Sequence, residues 1–147
     1  MPEIEDTIEM KGRVEFQLLH PDGSEERWEV DNLVVTSGKN FIASRMKDAT
    51  ATAMTHMAVG TGATAPVIGD VALAAEAARV ALANTVVAAA IVTYTATFGA
   101  GVGTGALAEA GILNAAAAGT MLVRTTYAVI NKGALDILNV TWTVTVG

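Results

Sequence analysis

The sequence predicts a mainly β protein, an antiparallel β-sandwich or jelly roll with one short helix near residues 37–48. Three observations lead there. Apolar and polar residues alternate with the period of a strand along Gly12–His20, Val92–Phe98 and Val140–Val146. Turn residues punctuate these runs at short intervals. One stretch, Ser37 to Asp48, sets its larger side chains at helical spacing instead. The 147 residues fit one domain, organised as an acidic N-terminal arm over residues 1–11 and a single β-sandwich over residues 12–147.

The first element is a hairpin. Val14, Phe16 and Leu18 share one face, and Arg13, Glu15 and Gln17 the other. Pro21-Asp22-Gly23-Ser24 turns the chain, and alternation resumes from Glu26 to Val30 with Trp28 and Val30 on one face. Asn32–Val35 then runs into the helix, where Phe41, Ile42, Arg45 and Met46 recur at helical spacing and Ser37 is the candidate N-cap. A helix this short and one-sided should lie against a sheet.

Thr55–Val59 reads as a strand stopped by Gly60-Thr61-Gly62, and residues 63–70 as loop. Residues 71–83 stay ambiguous. Leu73, Glu76, Ala77 and Val80 suit a helix and alanine favours one, whereas the β-branched neighbours suit a strand. Val92, Tyr94, Ala96 and Phe98 alternate with Thr93, Thr95 and Thr97, and a glycine-rich connection follows from Gly99 to Gly105. Further strands are expected over Gly111–Asn114 and Met121–Ile130, with Asn131-Lys132-Gly133 turning between hairpin arms. In the last strand Val140, Trp142, Val144 and Val146 face one side, and three threonines the other. Roughly six to nine strands separated by turns suit a sandwich, jelly roll or barrel.

Composition narrows the function. Apolar residues make up 52% of the chain but aromatics only 5%. Much of the apolar total is alanine, which buries little area, so the core is expected to be thin or shared with a partner. A net charge of −6 gains nothing from neutralising phosphates, and no cluster of Lys and Arg is present. Nucleic acid is therefore not an expected partner. Cysteine is absent, which removes disulfides and thiolate metal sites. The first residues lack the basic-then-apolar order of a signal peptide. The uncharged stretch Val80–Phe98 is long enough to span a bilayer, but its threonines suit buried strands better, and no membrane partner is expected.

Catalytic patterns are missing. Gly60-Thr61-Gly62 and the run Gly99–Gly105 lack the lysine and hydroxyl of a phosphate loop and the spacing of a dinucleotide fingerprint. His20 and His56 have no neighbouring ligands that would complete a metal site. Ser24, Ser37 and Ser44 stand outside any nucleophile motif. The sequence thus leads us to expect a non-enzymatic chain without cofactor or metal. Four charges stand out because they sit in apolar surroundings, where a lone charge is costly: Glu76, Arg79, Glu109 and Arg124. Either the glutamates pair with the arginines, inside the fold or across an interface, or each reaches solvent at a strand end.

Several segments, in order, resemble a family of tailed-phage virion structural proteins. They are Gly38-Lys39-Asn40-Phe41-Ile42, the run Met57–Pro66 containing Val59-Gly60-Thr61-Gly62, and Gly69–Glu76. Ala106-Leu107-Ala108-Glu109-Ala110-Gly111-Ile112-Leu113-Asn114-Ala115, Gly119–Arg124, Val129–Gly133 and Val140–Val144 continue the pattern. The resemblance implies a capsid cement (decoration) protein with a jelly-roll sandwich, bound outside the shell over joints between major capsid subunits. It implies the major capsid protein as partner, synthesis in the host cytoplasm and a final location on the outer capsid surface. A homo-oligomer is expected as well, a dimer ahead of a trimer. Related proteins of the tail fibre or baseplate are the second reading, and a small-molecule-binding or enzymatic β-domain the third. No catalytic residue is carried over.

Overall fold

The computed structural model describes residue 4 and residues 6–147. Ten strands and one helix follow one another as β1 (Met10–Leu19), β2 (Glu25–Asp31), β3 (Leu33–Val34), α1 (Thr36–Lys47), β4 (His56–Gly60), β5 (Glu76–Ala81), β6 (Asn84–Ala88), β7 (Ile91–Phe98), β8 (Gly105–Leu113), β9 (Met121–Lys132) and β10 (Ile137–Val146). They form two five-stranded sheets, ordered β2-β1-β10-β7-β6 and β3-β9-β8-β4-β5. Every strand pairing is antiparallel. The protein is a β-sandwich, with a single short helix among the described residues.

Alternation along the strands produces the core directly, because a period of two sends every second side chain inward. In the first sheet the inward rows run across strands: Val14 opposite Trp142 opposite Tyr94, and Leu18 opposite Leu138 opposite Phe98. Met57, Val59, Leu107, Ile112, Val123 and Ile130 of the second sheet meet these rows. Trp142 is wholly buried, and its indole N–H donates to Asn32 Oδ1 at 2.6 Å, so the ring keeps a polar partner. The core is not thin. Its apolar part is built from large side chains such as Trp142, Phe16, Phe98, Leu18 and Met57, while alanines such as Ala88–Ala90 and Ala116–Ala118 lie exposed.

Several expectations need correction. Met10 and Lys11, placed in the N-terminal arm, belong to β1 and pair with Val146 and Thr145. Residues 1–3 and 5 of that arm lie outside the described residues. Ser37 is not the helix cap. Val35 occupies that position without a side-chain bond, and the Ser37 hydroxyl donates to the Met121 carbonyl at 2.8 Å. The helix approaches β9 so closely that a Cβ on Gly38 would collide with the Leu122 backbone. Phe41 and Ile42 pack on the core, but Met46 is exposed.

Residues 76–81 of the ambiguous segment form a strand. The stretch Val80–Phe98, expected to be buried, includes β6, all five residues of which are exposed. Asn131-Lys132-Gly133 does not join a hairpin, because β9 and β10 lie in different sheets. There the chain crosses the sandwich through residues 133–136.

Candidate functional site

The four charges singled out in the sequence come together as two pairs, Arg79 with Glu76 and Arg124 with Glu109. Both pairs hold loops. Arg79 meets Glu76 through two N–H groups, at 2.6 and 3.1 Å, and donates further to the carbonyls of Ala115 and Ala118, each at 2.9 Å. It thereby ties the β8–β9 connection to β5.

The second pair is buried. Glu109 on β8 is 0% exposed and Arg124 on β9 is 2% exposed. Register places Gly111 opposite Arg124, so the arginine enters the sheet two residues from the glutamate. Arg124 donates to Glu109 Oε1 from Nη2 at 3.0 Å and from Nε at 3.3 Å. The carboxylate also accepts three backbone N–H groups, from Gly62 (2.8 Å), Ala74 (2.8 Å) and Ala75 (2.7 Å). Arg124 continues outward to Asp70 Oδ2 at 2.9 Å and to the Thr64 carbonyl at 3.0 Å. Asp70 in turn accepts the Val67 N–H at 2.9 Å.

Every one of these outer partners lies in residues 61–75, the connection from β4 to β5. A loop of that length without strand or helix is uncommon and has few bonds of its own. Here one carboxylate fastens both of its ends, and one guanidinium fastens its middle. Gly62 is required at the near end, because a Cβ there would collide with Glu109 Oε2. Leu73 anchors the loop from below, packed with Val35, Ala58, Leu113 and Met121. The Tyr127 phenol donates to the Glu109 carbonyl at 2.9 Å, and burial, then the Glu109 charge, pushes its pKa well up.

The fastened loop exposes an apolar tip. Val67 is 57% exposed, Ile68 60% and Val71 67%. The Ile68 carbonyl accepts the Thr36 N–H at 2.8 Å, which places this tip beside the start of α1. Branched aliphatic side chains on a loop are ordinarily mobile. Here the backbone that carries them is held by a buried ion network.

The sequence flagged both members of each pair as isolated charges, yet Asp70 went unremarked because it sits in loop-like sequence where an acidic residue is unexceptional. The three N–H donors are backbone groups and leave no trace in residue types. The glycine pair Gly60 and Gly62 was the available signal. Among the described residues no group of three or more His, Asp or Glu is arranged to hold a metal ion, and no helix is long and apolar enough to cross a membrane. No known protein family, no curated protein and no solved structure matches this chain.

Proposed function

We propose that the chain is a capsid cement protein, which binds the outside of a phage shell and stabilises contacts between major capsid subunits. The observation that carries this reading is the fastened loop 61–75 with Val67, Ile68 and Val71 exposed at its tip. A protein that joins subunits acts through area rather than through reacting groups, and a preordered apolar contact loses less entropy on binding. Anything that binds the assembled shell and not its parts stabilises the shell by mass action. The ordered loop coincides with the segments that carry the resemblance: Gly60-Thr61-Gly62, Asp70, Glu109 and Arg124 all belong to its holding network. The acidic N-terminal stretch, with ten acidic and three basic groups in residues 1–31, would steer attachment to a basic patch on the shell and make it salt-dependent.

Quantitative mass spectrometry of purified particles tests the proposal. A copy number comparable to the major capsid protein is the expected result. A few copies per particle would instead favour a tail-fibre or baseplate module, and absence from particles would overturn both. Ile68→Asp sharpens the test: it should abolish attachment to shells while leaving the thermal transition of the free protein unchanged.

A further inference from the structure

We infer that the β6 edge of the first sheet is a pairing surface for a second copy of this chain, joined antiparallel about a two-fold axis at Val86. The inference stands apart from the shell reading and does not depend on it.

Three observations carry it. The first is chemical. β6 reads Asn84-Thr85-Val86-Val87-Ala88, with no charge and no proline, and the charge-free stretch extends on both sides, from Leu82 to Ala108. Edge strands that stay unpaired are normally guarded by charge, proline or a bulge. β2, the other edge of the same sheet, is guarded in this way by Glu25, Glu26, Arg27, Glu29 and Asp31. Ten of the fifteen acidic residues behind the net charge of −6 lie in residues 1–31, and β6 brings none of them to the pairing edge.

The second observation is an unfinished core. Val87 sits in the inward row of the sheet, opposite Val92, which is itself opposite the buried Val144. Yet Val87 is 68% exposed. An inward valine left open marks a rim that the single chain does not close.

The third is the hydrogen-bond pattern. A two-residue turn, Ala89-Ala90, joins β6 to β7, so Ala88 and Ile91 form the bonded pair next to it, and bonded pairs alternate from there. Val86 therefore bonds inward to Thr93, while Thr85 and Val87 direct their N–H and C=O groups away from the sheet. In agreement, the Thr85 N–H meets the Oδ1 of its neighbour Asn84, at 2.9 Å, a contact that a facing carbonyl can replace. A two-fold axis at Val86 sets Thr85 opposite Val87 of the second copy and Val87 opposite its Thr85. Both bonded pairs are then satisfied, and each open Val87 is covered. The sheet continues from one copy into the next.

Sedimentation equilibrium with the full chain at roughly 100 µM, a concentration at which micromolar association is complete, provides the test. The expected mass is twice 15.1 kDa. Val86→Lys places two like charges opposite each other at the axis and should return the mass to that of one chain. Val86→Thr, an uncharged strand former, should remain dimeric. Because β6 is exposed throughout, both variants should keep the thermal transition of the monomer fold. Hydrogen exchange supplies the second measurement: the Val87 amide should be protected in the parent and exchange freely in Val86→Lys. A parent that is monomeric at this concentration would overturn the inference, as would a Val86→Lys protein that stays dimeric. A monomeric parent whose Val86→Lys variant fails to bind shells would assign the edge to the capsid protein and equally refute self-pairing.

Discussion

The two halves of the chain use charge in opposite ways. The β1–β2 ribbon is crowded with it, and its pairs lie in solvent: Arg27 with Glu15 at 2.7 Å, and Arg13 with Glu29, whose side chains are 65% and 50% exposed. Beyond Val80 the chain has only Glu109, Arg124, Lys132 and Asp136, and all four are buried. Exposed pairs are screened by water and salt and contribute little to stability. Buried groups must be fully partnered, and each of these four is bonded to a loop: Glu109 and Arg124 to residues 61–75, Lys132 to the Gly99 carbonyl, Asp136 to the Gly133 N–H. Charge density and structural consequence therefore run in opposite directions along this chain. The abundant charges guard an edge and colour the surface, and the rare ones set the positions of loops.

This contrast can be broken most forcefully at Glu109. Glu109→Ala leaves the Arg124 guanidinium buried with Asp70 as its one remaining carboxylate partner and frees three backbone N–H groups. The expected loss is about 3–5 kcal/mol in urea unfolding. A loss no larger than that of a surface substitution would show that the network does not hold the loop.

A smaller effect is expected at the turn where the first and last parts of the chain meet. His20 Nδ1 lies 2.8 Å from Asp136 and Nε2 2.9 Å from Glu26. Its pKa is raised, first by the bond to Glu26 and then by the bond to Asp136. The charged imidazole thus contributes its full stabilisation below its ordinary pKa of about 6.5 and loses it as pH rises through the raised value. Asp136 behaves in the opposite sense. The Gly133 N–H, followed by His20, lowers its pKa, so its contribution is present above the ordinary carboxylate range and is lost as pH falls through the lowered value. Stability against pH should decline on both sides of this window, and His20→Gln should flatten the alkaline decline. An unchanged alkaline limb in that variant would contradict the assignment.

The smallest effect is expected on the ribbon. In a double-mutant cycle, Arg13→Ala and Glu29→Ala should show a coupling energy below about 1 kcal/mol, shrinking further in high salt. A coupling that approached the Glu109 effect would erase the contrast between the halves.

How much of this was legible depended on how local the signal is. The β1–β2 hairpin, β7 and β10 were readable because alternation of large side chains against charge or threonine is a property of neighbouring residues. β5 was ambiguous, since alanine carries almost no information about which way a segment faces. β6 lies within Val80–Phe98, whose threonines and moderate hydrophobicity suit buried strands, yet all five of its residues are exposed because it forms the edge of its sheet. The chain crossing after Lys132 looked like a hairpin because turn residues specify a reversal without specifying which strand comes next to it. Strand order in a sandwich, on which the distinction between a jelly roll and its alternatives depends, is set by contacts far apart in sequence. The site shows the same division. Glu109 and Arg124 were conspicuous as lone charges in apolar sequence, but their pairing rests on the β8–β9 register and their purpose on backbone N–H groups of a distant loop. Ser37 illustrates the converse: a residue with the chemistry of a cap is drawn to the Met121 carbonyl because the helix packs against β9 at that point.

One buried carboxylate converts residues 61–75 from a loose connection into a fixed surface. Amide hydrogen exchange at Gly62, Ala74 and Ala75 tests it most directly, because these three N–H groups donate to Glu109. They should exchange through openings as rare as those of the core strands, and Glu109→Ala should expose them together while the β1–β10 ladder stays protected. Rapid exchange of the three amides in the parent protein would contradict it.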